Sequence, residues 1–303
     1  MSGLPRLRVR APFPIGKPNW PSSVPRPAVE RHTGVDYETD WARTYGARIA
    51  RAFLLDDVVR PLVRAIASPE VHGEDRLAGL AAPAIFVANH HSHLDTGLLL
   101  TSLPERFRRR TVVAAAADYF FPSRAKGAAS ALVIGAIPME RTKVGRRSAD
   151  LAAELLDDGW NLLMFPEGGR SPDGWGRAFR GGAAYLSLRC NRPVVPMYLE
   201  GTGRLWRRGK TLPKVAGRGE GVHVVVGSPM RAEDGEDARR LAARIERAVA
   251  ALADEWSTDW WSARRRAARG DTPSLTGPTG GAWRRSWALD ADASRRDGRR
   301  AWP

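Results

Sequence analysis

The feature that most limits what this chain can fold into is a recurring set of short, unbroken apolar runs. Ile85-Phe86-Val87-Ala88, Thr111-Val112-Val113-Ala114-Ala115-Ala116, Asn161-Leu162-Leu163-Met164-Phe165, Val194-Val195-Pro196-Met197-Tyr198-Leu199 and Val222-His223-Val224-Val225-Val226 are too short for helices. They are also too continuously apolar for strands with one wet face, so they read as strands buried on both sides. Val133 to Arg141 reads as a further strand that breaks at Pro138 and exposes Arg141. Helical patterns lie between: 124–133, from Ser148 to a stop at Gly159, 179–190, and about 235–256 with Leu241, Ile245, Val249, Leu252 and Trp256 on one face. This alternation predicts an α/β fold, a largely parallel central sheet with helices on both faces in a single catalytic domain.

In such folds chemistry sits at the carboxyl ends of the strands, and the run at 85–88 is followed there by Asn89-His90-His91-Ser92-His93-Leu94-Asp95. Three readings are open. Ser92 or Asn89 could cap a following helix, which accounts for one or two polar residues but not for three histidines around an aspartate. The run His91-Ser92-His93-Leu94-Asp95 resembles the His-x-His-x-Asp-His metal motif of metallo-β-lactamase-like hydrolases, yet the sixth position is Thr96 and only His223 lies downstream to complete a ligand set. Third, His90 and Asp95 form a metal-free pair, a general base oriented by a carboxylate.

A second polar junction follows the run at 161–165: Pro166-Glu167-Gly168-Gly169-Arg170-Ser171. Adjacent glycines permit close backbone approach, and Arg170 offers a planar anion-binding fork. The spacing is not that of a Walker A loop.

At 303 residues and 43% hydrophobic, the chain can bury one large core or two modest ones. A single cysteine, Cys190, excludes an intramolecular disulfide. No apolar run reaches the ~18 residues of a membrane span, and the N-terminus lacks a signal-peptide apolar region. These features lead us to expect a cytoplasmic protein, peripheral on the cytoplasmic face of a membrane. A net charge of +15 favours an anionic partner, although the near-exclusive use of arginine over lysine also fits a genomic base-composition bias. The Trp/Arg content suits a single-stranded nucleic-acid binder, but no RNA-binding or helix-turn-helix signature accompanies it, so no nucleic-acid partner is expected. Residues 1–38 read as a Pro-rich arm, 39–260 as the catalytic domain and 261–303 as a basic, Trp/Arg-rich and poorly ordered tail. From about Thr39, Trp41, Tyr45, Ile49 and Phe53 recur at intervals of four, a stripe suited either to a membrane interface or to the core.

The order of the motifs narrows the third reading. Asn89-His90-x-Ser92-x-x-Asp95, then Gly135-Ala136-Ile137-Pro138-x-x-Arg141, then Phe165-Pro166-Glu167-Gly168-x-Arg170-Ser171, then Val194-Val195-Pro196 resembles the glycerolipid acyltransferase family, typified by 1-acylglycerol-3-phosphate acyltransferases. The resemblance covers roughly residues 80–200. One departure is Gly169, where the family more usually has Thr. The resemblance implies an O-acyltransferase of phospholipid synthesis that passes a fatty acyl group from acyl-CoA or acyl carrier protein to the hydroxyl of a lysophospholipid. The implied acceptor is 1-acylglycerol-3-phosphate and the product phosphatidic acid. His90 and Asp95 would be catalytic. Arg141 and Arg170 would bind the acceptor phosphate, with Glu167 and Gly168 shaping that loop. No cofactor or metal is implied. An anionic membrane surface is the expected partner. An acyl thioester hydrolase on the same scaffold is the nearest alternative, and a metal-dependent hydrolase using His91, His93 and Asp95 a more distant one.

Overall fold

The computed structural model describes residues 34–289, apart from 82, 141–145, 172, 207–210, 218–220, 279 and 281–282. Its strands are β1 (Glu70–His72), β2 (Ile85–Ala88), β3 (Thr111–Ala116), β4 (Ala136–Met139), β5 (Asn161–Met164), β6 (Val194–Glu200) and β7 (His223–Val226). They form a 7-stranded sheet in the order β1-β7-β6-β2-β5-β3-β4. Every neighbouring pair is parallel except β6 and β7, which run antiparallel.

β2 lies in the interior of the sheet between β5 and β6, and all four of its residues are buried. Alternation along the strand sends Phe86 and Ala88 to one face, where they pack with Leu98, Leu99, Phe107 and Leu163. Ile85 and Val87 go to the other face, against Leu156, Leu162, Ala184, Leu241 and Ile245. A fully buried side chain of this size contributes about 1.5–3 kcal/mol, and both faces gain, which is why the run carries no polar residue until Asn89. Asn161 opens β5 and is wholly buried. Its Oδ1 accepts from the Ala84 N–H at 3.0 Å and its Nδ2 donates to the Phe107 and Arg110 carbonyls at 3.1 and 3.2 Å. One amide thus ties the start of β5 to the segments that lead into β2 and β3.

The helices are α1 (Tyr45–Phe53), α2 (Arg60–Ala67), α3 (Leu94–Ser102), α4 (Glu105–Arg108), α5 (Ala117–Phe120), α6 (Arg124–Ile134), α7 (Arg146–Asp157), α8 (Gly182–Cys190), α9 (Thr202–Leu205), α10 (Ala238–Ser257) and α11 (Trp260–Arg269). A π-helical segment, Leu54–Val59, joins α1 to α2 in one continuous rod. α10 buries Leu241, Ile245, Val249 and Leu252, as its spacing predicts. Pro138 does not end its strand but lies inside β4. β4 is an edge strand with a single neighbour, where a missing N–H costs no ladder bond on the open side.

The tail also differs from the expectation. α11 continues past Trp260, and the Trp175 indole N–H donates to the Arg285 carbonyl at 2.9 Å. Arg285 pairs with Asp173 at 2.6 Å, and Leu275 packs beside Tyr198 and Val249. These anchors hold residues that composition alone marks as loop. Residues 290–303 and 1–33 lie outside the described residues.

Candidate active site

β2 and β5 run side by side in parallel, with Val87 opposite Met164. The segments that leave their carboxyl ends therefore emerge together, and these are the two polar junctions of the sequence. Asn89 closes β2 structurally: it is buried, its Nδ2 donates to the Leu199 carbonyl at 2.9 Å, and its Oδ1 accepts from the Leu199 N–H at 2.7 Å. Both halves of the amide are used to lock the loop to β6.

The chain then turns so that Asp95, in the first turn of α3, points back into the loop that precedes it. Asp95 is fully buried. Its Oδ2 accepts from His90 Nδ1 at 2.8 Å and from the backbone N–H groups of His91 and Ser92, both at 2.7 Å. Burial alone would raise this carboxyl, but the hydrogen bond and charge of His90 and the Ser92 N–H outweigh it and hold Asp95 below the usual carboxylate range. The helix N-terminus favours the anion as well. Ser92 Oγ donates to the Trp206 carbonyl at 3.1 Å and accepts from the Leu94 N–H at 3.2 Å, while the N-cap position itself falls to His93, not to Ser92 or Asn89.

The three histidines are thereby told apart. His90 has its Nδ1 on the carboxylate and its ring stacked on Phe165, centroids 4.2 Å apart. With Nδ1–H donating to Asp95, the opposite nitrogen, Nε2, is left to accept a proton. Burial lowers the pKa of His91. His93 lies against Tyr119 and Trp206, and its pKa is lowered by burial and then by the positive charge of Arg170. Among the described residues His91, His93 and Asp95 do not converge as a metal-ligand set, and His223 stands elsewhere, on β7. The metal reading of this stretch finds no support in that arrangement.

The loop after β5 is bonded to the His90 loop twice. The Ser171 N–H donates to the His90 carbonyl at 2.9 Å, and the His90 N–H donates to Glu167 Oε1 at 2.8 Å. Glu167 Oε2 accepts from the Arg177 N–H at 2.9 Å. Both oxygens of this buried carboxyl are thus directed at backbone, and the residue holds the two loops in place. Gly168 has φ +69°, a conformation that favours glycine, and a Cβ there would lie 2.9 Å from Arg180 Cζ and make that guanidinium shift. Gly169 is less confined, with Arg177 Nη1 at 3.7 Å from a built Cβ. Arg170 is close enough to His93 for its charge to be felt there. Arg177 and Arg180 join it around this loop, and sequence reasoning had passed over both. Arg141 lies outside the described residues.

Burial pushes the Glu167 carboxyl up to about 7, with the negative charge of Asp95 adding to the effect and the two N–H donors opposing it. The sign of the consequence follows. Between about 4.5 and about 7 the native protein binds a proton that the unfolded chain has released, so stability falls as pH rises through that window. Glu167→Gln, which does not titrate, is expected to flatten that part of the profile. Urea midpoints of both proteins at about pH 5 and about pH 8 check it; parallel profiles would refute the assignment.

The family model described as Acyltransferase matches residues 68–200. That match takes in somewhat less than half of the chain. The chain is 31% identical over 143 residues to the chloroplastic 1-acyl-sn-glycerol-3-phosphate acyltransferase BAT2 of Brassica napus, covering 46% of this chain and 39% of that protein. It is 32% identical over 142 residues to the chloroplastic LPAT1 enzyme of Arabidopsis thaliana, covering 46% and 38%. The chain thus matches about two fifths of the length of these curated relatives. The crystal structure of the 1-acyl-sn-glycerophosphate acyltransferase PlsC from Thermotoga maritima superposes with a TM-score of 0.55 at 19% identity, covering 73% of this chain and 86% of that one. At that identity the likeness concerns the fold. The matched region runs from the end of α2 to the end of β6 and contains both polar junctions.

Proposed function

We propose that this acyltransferase domain transfers a fatty acyl group from a thioester donor, acyl-CoA or acyl carrier protein, to the free hydroxyl of 1-acylglycerol-3-phosphate, making phosphatidic acid. The observation that carries the proposal is the 2.8 Å contact between His90 Nδ1 and Asp95 Oδ2, beside the loop that bears Arg170. His90 Nε2 takes the hydroxyl proton as the acceptor oxygen attacks the thioester carbonyl carbon. Asp95 stabilises the imidazolium that forms. The tetrahedral intermediate then expels the sulfur, the C–S bond breaks, and the proton on His90 passes to the departing thiolate. The products are the ester and the free thiol, with no acyl-enzyme and no cofactor required.

Arg170, with Arg141, supplies the charge that matches the acceptor phosphate. Arg170→Ala is therefore expected to raise the apparent KM for the acceptor ~10-fold or more while leaving that for the acyl donor nearly unchanged. Equal effects on both substrates would count against the role.

The decisive experiment for the activity is to incubate the purified protein with labelled acyl-CoA and a panel of lysophospholipids and to identify products by mass spectrometry. Labelled phosphatidic acid supports the proposal. Free fatty acid without ester would instead favour thioester hydrolysis, with water as the acceptor.

We also propose that the domain docks on an anionic membrane surface without crossing it. Among the described residues no helix is long and apolar enough to span a bilayer. The rod formed by α1, the π segment and α2 buries Leu55, Val63 and Ala67 but carries a second, outward apolar stripe: Tyr45 is 78% exposed, Phe53 61% and Leu62 57%, with Ile49 and Val58 also exposed and Trp41 exposed in the turn just before it. The π segment absorbs one extra residue, so the step from Phe53 to Val58 is five where the others are four, and the stripe stays on one side. The arginines of α1 face inward. Arg51 is buried, and the guanidinium groups of Arg48 and Arg51 both lie 5.6 Å from the centre of the Trp160 ring. α1, with its large apolar side chains outward and its cations inward, is the reverse of ordinary core packing.

A further inference from the structure

Away from the His90 loop, at the β1 edge of the sheet, lies a second group of titratable side chains that acyl transfer does not use. β1 pairs with β7 in parallel, with Glu70 opposite His223. Residues two apart on a strand share a face, so Glu70 and His72 project to the same side and His223 joins them from the neighbouring strand. β6 lies between β7 and β2 and so separates this group from β2 and its catalytic loop.

Glu70 Oε2 lies 3.3 Å from His223 Nδ1 and 3.8 Å from His72 Nε2, and one donor atom from each of the three residues falls within 4.8 Å of the others. Bonds of ~2.0–2.1 Å in a tetrahedral shell put neighbouring ligand atoms about 3.4 Å apart. Two edges of the triangle are already close to that value, and the third closes with a small turn of the His72 ring, whose side chain is 41% exposed. Trp256 of α10 walls the group, its ring centroid 4.1 Å from that of His223 and 4.9 Å from that of His72. A bare ion pair between Glu70 and His223 leaves His72 Nε2 buried with no hydrogen-bond partner; a shared cation satisfies that nitrogen.

We propose that Glu70, His72 and His223 bind a divalent transition ion of the zinc type. Two imidazoles and one carboxylate suit zinc, nickel or copper over magnesium or calcium, which prefer all-oxygen shells. The ion would clasp β1, a strand of three residues, to β7. β1 directly follows the rod that carries the outward apolar stripe, so the clasp would brace the point where the docking element meets the sheet.

The test uses the full chain, stripped with a chelator and dialysed, titrated with zinc by calorimetry and with cobalt(II) by visible absorption at about pH 7.5. Expected is one equivalent of zinc, a tetrahedral cobalt spectrum, and a thermal midpoint that rises with zinc. His72→Ala, at a partly exposed site, is expected to weaken zinc ~100-fold and abolish the thermal shift, and Glu70→Gln to weaken it ~10-fold. Circular dichroism confirms that both variants fold. His93→Ala is expected to leave zinc affinity unchanged. Absence of binding at about 100 μM zinc, affinity indifferent to His72→Ala and Glu70→Gln, or loss of binding in His93→Ala would each overturn the site.

Discussion

His90→Ala is expected to remove acyl transfer by ~10²–10⁴-fold or more, the range for losing a general base, while the fold survives. The ring is partly exposed and its main packing partner is Phe165, so no large cavity opens. Asp95→Asn is expected to be nearly as damaging for a different reason. Asp95 Oδ2 accepts from the His90 ring and from two backbone N–H groups. An amide retains one acceptor oxygen but has no charge with which to stabilise the imidazolium. If the amide nitrogen faces the ring, it also forces the wrong tautomer on His90. Asp95→Asn should therefore lower kcat with little change in KM, whereas Arg170→Ala should do the opposite. Steady-state kinetics on the three variants separate these roles. Near-normal turnover in His90→Ala together with loss in His91→Ala or His93→Ala would transfer the base to another ring.

The second large effect concerns the membrane. Replacing Ile49 and Phe53 together by Asp is expected to reduce partitioning onto anionic vesicles by ~10²-fold or more. Each of these side chains gains about 1.5–3 kcal/mol when moved from water into an apolar phase, and the introduced charges are repelled by acidic headgroups. Both residues are exposed, so stability should change little, and turnover on detergent-dispersed substrate should persist. Co-sedimentation at low and high salt measures the two contributions. Electrostatic attraction is screened beyond about 10 Å at 0.1 M salt, so wild-type binding should weaken with salt and be weaker still on neutral vesicles. Equal binding of wild type and the double variant would return the stripe to a protein–protein role. Trp283 and Trp287, also exposed, provide a second candidate contact, to be tested by deleting residues 271–303.

Much of the sheet was legible from the chain because doubly buried strands leave a one-dimensional trace. β2, β3, β5, β6 and β7 coincide with the apolar runs to within a residue or so. β1 was not legible. Glu70-Val71-His72 is a three-residue edge strand with two polar side chains, and its state is set by β7 beside it, not by its own pattern. The tail from 261 to 289 was misjudged for a related reason. Its composition is that of a loop, and its order comes from Trp175, Asp173 and the Tyr198–Val249 cluster, all distant in sequence. The stripe on α1 was visible as a stripe, but period alone is identical for a face turned to the core and one turned outward.

By itself, then, the amino-acid order determined the α/β class, the position of the polar junctions behind β2 and β5, and the family they resemble. Those follow from local hydrophobicity and from motif order along the chain. Tertiary structure decided which of three adjacent histidines meets Asp95, because that depends on how the loop doubles back at the start of α3. It brought both oxygens of Glu167 onto backbone N–H groups, those of His90 and Arg177. It also brought His223 to Glu70 and His72, a meeting set by the order of strands in the sheet, which residues so far apart along the chain cannot reveal on their own.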